Sequence, residues 1–162
     1  MRLKSTAKRV IQKQSAKGII HKVCPRKESH TDAIAYIASP RVRSNLDFLV
    51  YLHEIGHCKS KQPDFYHAVY GNSRAFCTQR QGYVVKWNDA RLQCEFNAWA
   101  WALRYYRRLG GKLGKVQKEM VVKYFGNYLY DAKNKQKAQE LACKMKQMFD
   151  IDQTHDKFYE DF

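Results

Sequence analysis

Phe48-Leu49-Val50-Tyr51-Leu52-His53-Glu54-Ile55-Gly56-His57 joins an apolar run to two histidines four residues apart. On a helix that spacing stacks the two imidazoles one turn apart on one face, so both reach a single ion at about 2.0–2.1 Å. Glu54 then projects beside the pair, where a carboxylate can act as general base toward water held by the ion. Just upstream, Ser44-Asn45-Leu46-Asp47 has the form of a capping box and predicts the helix start. Leu46, Leu49, Val50 and Leu52 give the helix a buried stripe. The bland alternative is a pair of surface histidines with a solvated Glu54, but the apolar run places them inside a domain, where unpaired rings are costly. Gly56 fits a buried site. Glycine in a helix interior costs ~1 kcal/mol relative to alanine, so its presence between the histidines predicts that another chain segment approaches closely there.

A catalytic zinc keeps three protein ligands and an open position. The best third ligand is Glu95, in Arg91-Leu92-Gln93-Cys94-Glu95-Phe96-Asn97-Ala98-Trp99-Ala100-Trp101-Ala102. On a helix Glu95, Ala98, Trp99 and Ala102 share a face; the alanines leave room for the first helix, and Trp99 can cover the site. Against this stands a surface role for Glu95 as partner of Arg91, four residues earlier. His67 is the rival third ligand, with Cys58 and Asp64 weaker ones. His67, Tyr66 or Tyr83 could alternatively donate to an oxyanion, or be plain loop and core aromatics.

Working outward, residues 1–17 read as a short helix or loose arm, with strand-like runs at Gly18–Val23 and Ala33–Ala38, the second stopped by Ser39-Pro40. Residues 64–87 read as loop plus one or two strands, notably Gly82-Tyr83-Val84-Val85-Lys86-Trp87. Asn88 or Asp89 is placed to cap a second long helix from Ala90 to Leu109, ended by Gly110-Gly111. Residues 112–149 have a lysine-rich helical pattern, broken near Gly126-Asn127. The expected organisation is a basic arm (1–28), a core (29–110) and a helical extension with an acidic tail (111–162).

Composition bounds the function. With 162 residues and 44% hydrophobic content the chain holds one domain with a real core. Its 30 Lys+Arg against 15 Asp+Glu leave +15, drawing it toward nucleic acid or acidic proteins. Residues 1–28 hold nine basic groups and one acid; residues 150–162 hold five acids and only Lys157. Five cysteines without a C-x-x-C pair suggest neither a disulfide framework nor a zinc ribbon. No apolar run suits a signal peptide or a membrane span, so a cytoplasmic protein with no membrane partner is expected.

His53-Glu54-x-x-His57 on a capped apolar helix, followed by Glu95-x-x-Ala98 on a later one, resembles the glutamate-type zincins. It is most similar to the small ImmA/IrrE-like metallopeptidases of phages, plasmids and other mobile elements, over roughly residues 31–109. The resemblance implies an α+β minimal zincin fold with a small sheet against the active-site helix. It implies Zn²⁺ held by His53, His57 and Glu95, with Glu54 as general base. It also implies a substrate strand laid antiparallel along an edge strand, for which Ala33–Ala38 is the candidate, and action on DNA-associated regulators. The thermolysin pattern wants Asp where this chain has Trp99, and the extended metzincin motif wants Gly and His where it has Ser60 and Pro63.

The expected function is a zinc-dependent peptidase acting on a protein or peptide. The alternative is a nucleic-acid-binding or anti-host protein on the same scaffold, using the basic arm and the Lys and Arg of 104–146 interleaved with Tyr105, Tyr106, Tyr124 and Phe125. Zinc hydrolysis of a non-peptide bond is a third option.

Overall fold

The computed structural model describes residues 3–23, 30–31, 36–39, 41–59 and 81–150. Helix α1 (Leu3–Ser15) leads into strands β1 (Ile20–Val23), β2 (His30–Thr31) and β3 (Tyr36–Ser39), and then α2 (Asn45–Lys59). Among the described residues three helices follow: α3 (Gln81–Arg108), α4 (Lys115–Asp131) and α5 (Lys135–Asp150).

The expected α+β class is corrected to a helical one. Among the described residues, helices of 13, 15, 28, 17 and 16 residues stand against strands of four, two and four. The core shows why this matters. A sheet that builds a fold lends a whole face of side chains to the interior. Among the residues whose burial is described, the buried hydrophobic cluster comes from the helices, apart from Ile19, Ile37 and Ala132. The strands have order β1-β3-β2, with β3 parallel to β1 and antiparallel to β2. This also corrects the substrate edge: β3, which overlaps the run Ala33–Ala38, is paired on both sides, and among the described residues the edges are β1 and β2.

Local chemistry sets the helix ends. Asp47 Oδ2 accepts from the amides of Arg43 (3.0 Å) and Ser44 (2.9 Å), while Ser44 Oγ accepts from Asp47 N at 3.1 Å, a complete capping box for α2. At the end of α3, Gly110 takes φ +78°, and the amides of Gly110 and Gly111 donate back to the carbonyls of Arg107 and Tyr106. This is a Schellman stop, which a residue with a Cβ adopts only with strain.

Two boundaries differ from expectation. Gly82–Trp87 belongs to α3, which begins at Gln81, so neither Asn88 nor Asp89 caps it. A β-branched run is a weak prior that a long helix overrides. The break between the last helices falls at Ala132–Asn134, not Gly126, which α4 absorbs with Phe125 packed beside it in the core. The usable signal was Asn134, whose Oδ1 accepts from Lys137 N at 3.0 Å as an N-cap.

Helix α2 is buried on almost every side: Phe48, Leu49 and all of Tyr51 to His57 are inside, while Leu46 and Val50 are only half-buried. It runs antiparallel to α3, with Phe48 near Tyr106 at one end (ring centroids 6.3 Å) and His53 near Glu95 further along. The two backbones touch at Gly56. A Cβ there would collide with the carbonyl oxygen of Ala98 and stand 2.9 Å from its C and Cα atoms. These are backbone atoms of a helix and cannot step aside. Gly56→Ala is therefore expected to lose stability: overpacking costs about 1–3 kcal/mol, against ~1 kcal/mol gained in helix propensity. Thermal unfolding should show a melting temperature lower by several degrees; a variant as stable as its parent would mean the helices are not held this close.

Candidate metal centre

The closeness of α2 and α3 brings three ligating side chains together. Glu95 Oε2 lies 3.1 Å from His53 Nε2, and Glu95 Oε1 lies 3.6 Å from His57 Nε2. One ligand atom from each residue fits within a 4.8 Å group, and all three residues are buried. Two atoms each about 2.0–2.1 Å from a tetrahedral ion stand roughly 3.3–3.4 Å apart, so these separations suit a shared small cation. The donor set, two imidazoles and one carboxylate, is one that zinc takes. Among the described residues this is the cluster that could hold a metal ion.

Each element contributes for a reason visible in the chain. The i, i+4 spacing on α2 stacks the histidines, whose rings meet edge-on at 4.6 Å. On α3, Glu95, Ala98, Trp99 and Ala102 do share a buried face. Trp99 lies flat on His53, ring centroids 4.0 Å apart and planes 23° off parallel. Glu54 is buried beside the pair, its Oε1 3.5 Å from His53 Nδ1.

Burial alone would lower the pKa of His53, but its hydrogen bonds to Glu54 and Glu95, reinforced by their charges, win and lift it to about 9. Glu95 shows the mirror image. Burial pushes its carboxyl up, and hydrogen bonds and charge from the two histidines hold it far below the usual carboxylate range. An ion held by these imidazoles would require both of them neutral.

The surface alternative for Glu95 is not what the fold builds: its carboxylate faces the imidazoles, while the Arg91 guanidinium lies 4.8 Å above the ring of Tyr128. Tyr128, on α4, was missed by the reading of the sequence. Burial, then the charge of Glu95, push its hydroxyl up to about 12, and its side chain hydrogen-bonds with Arg91 and Glu95. Nothing in the local sequence marks it, because the link is made by packing α4 on α3.

Of the other expected residues, Cys58 is half-buried on α2 and stands outside the cluster. Cys94, next to Glu95 in the chain, is buried, and burial with the charge of Glu95 pushes its thiol to about 11, which suits an inert packing residue. His67, Asp64 and Tyr66 lie outside the described residues, as does the side chain of Tyr83. Of the aromatics considered for nucleic-acid contact, Tyr106 and Phe125 are core residues and Tyr105 packs against the core. Tyr124 remains exposed.

Set against protein-family models, curated proteins and solved structures, the chain matches none of them. No helix among the described residues is long and apolar enough to cross a membrane.

Proposed function

We propose that this protein is a zinc-dependent peptidase. The observation that carries the reading is Glu95: a carboxylate from a second helix, 38 positions after His57 in the numbering, meets both imidazoles of an H-E-x-x-H helix in a buried cluster. Burying a lone carboxylate and two imidazoles in an interior is costly unless they serve one another or a shared ion. The resemblance to glutamate-type zincins supports the same assignment of ligands.

His53, His57 and Glu95 would hold the ion, and Trp99 fixes the ring plane of His53. When bound, zinc supplies Lewis acidity, polarising a carbonyl and lowering the pKa of water. The remaining work falls to Glu54. Next to His53 in the chain and not among the three converging ligands, it takes the proton from the attacking water and delivers it to the leaving amine.

Metal analysis of the natively purified protein tests this first. Elemental mass spectrometry should find about one zinc per chain, and chelation should abolish cleavage of a protein substrate that added zinc restores. A folded protein that neither carries nor takes up a transition metal would end the proposal.

A further inference from the structure

Away from the metal cluster, the surface opens into a groove of about 850 Å³ between α1 and the segment leading into α2. Its rim carries Lys4 and Lys8, one turn apart on α1, and Arg41 and Arg43. All four are exposed, and none forms an ion pair among the described residues. The floor is apolar: Ala7, Ile11 and Val42, with Val23 left 51% exposed. Four cations alone would suit a phosphate backbone. An apolar floor within the same ring suits a peptide that carries acids and large apolar side chains together.

The chain contains such a peptide. Residues 151–162, Ile-Asp-Gln-Thr-His-Asp-Lys-Phe-Tyr-Glu-Asp-Phe, lie outside the described residues and combine four acids with Ile151, Phe158, Tyr159 and Phe162. They follow directly on α5. α5 finishes at Asp150, which approaches Lys118 Nζ at 3.5 Å, and the Met148 carbonyl accepts from Arg107 Nη2. Arg107 follows Tyr106, which meets Phe48 in the first turn of α2, five residues after Arg43, whose amide donates to Asp47. Twelve extended residues span up to roughly 40 Å, the reach within which the groove must lie.

We propose that residues 151–162 dock in this groove of their own chain, apolar side chains on the floor and acids against the four cations. The test uses the full chain with a photoreactive benzoylphenylalanine replacing Phe158, irradiated in dilute solution and mapped by peptide mass spectrometry. Cross-links should fall within one chain, on α1 or residues 41–43. Lys8→Glu with Arg41→Glu, both exposed, should lower their yield roughly five-fold, the scale of two exposed charge pairs. Adding Asp156→Lys and Glu160→Lys to that variant should restore it. Cross-links elsewhere, cross-links only between two chains, or a yield that ignores the charge reversal would each overturn the proposal. Zinc content is unaffected in every arm, so the outcome is independent of the peptidase reading.

Discussion

Glu54→Gln is expected to keep its zinc and to lose hydrolysis by roughly 10²–10⁴-fold or more, the range for removing a positioned general base. The two side chains have the same shape, and Gln retains an oxygen that can face His53 as Oε1 of Glu54 does at 3.5 Å. What disappears is the capacity to accept a proton from water. Glu54 is buried beside His53, so the base acts from within the wall of the cluster. The measurement pairs elemental analysis with kcat/KM on a protein substrate. Full activity in the variant would move the base elsewhere. Loss of zinc with activity would instead make Glu54 a ligand.

How much of this could be read from residues alone depended on the range of the interaction. The histidine spacing, the Ser44–Asp47 box and the Gly110 stop are events within one helical turn or its cap, and each is built as the side chains dictate. Gly56 is more instructive: the penalty of glycine in a helix announced a close neighbour, and Ala98 is that neighbour. The fold class was misjudged because short apolar runs at 18–23 and 33–38 do not reveal whether a sheet or the surrounding helices own the core. Residues 1–17 show the same ambiguity. Their charge dominates the sequence, yet α1 buries Ala7, Val10 and Gln14 along one side. Tyr128 lay beyond reach altogether, since only the packing of α4 on α3 carries it to Glu95.

Removing the ligands should act differently from removing the base. His53→Ala, His57→Ala and Glu95→Ala each delete a bond to the ion, so each is expected to lose zinc and activity together. Melting temperature needs care here. Deleting Glu95 also strips two buried imidazoles of their carboxylate, which destabilises the protein whether or not metal is present. The clean readout is the zinc-dependent part of stability, the difference between loaded and chelated protein. Binding to the folded state alone contributes about 2.7 kcal/mol at a hundredfold excess over Kd, or roughly 5–11 °C for a domain of this size. The parent and Glu54→Gln should show that shift, and the three alanine variants should show almost none. His67→Ala is the decisive companion, because His67 is the rival third ligand that the sequence offers. If Glu95→Ala kept both its zinc and the shift while His67→Ala lost them, the third ligand would be His67. The peptidase could survive that result, but the convergence of α3 on the histidine pair would no longer explain it.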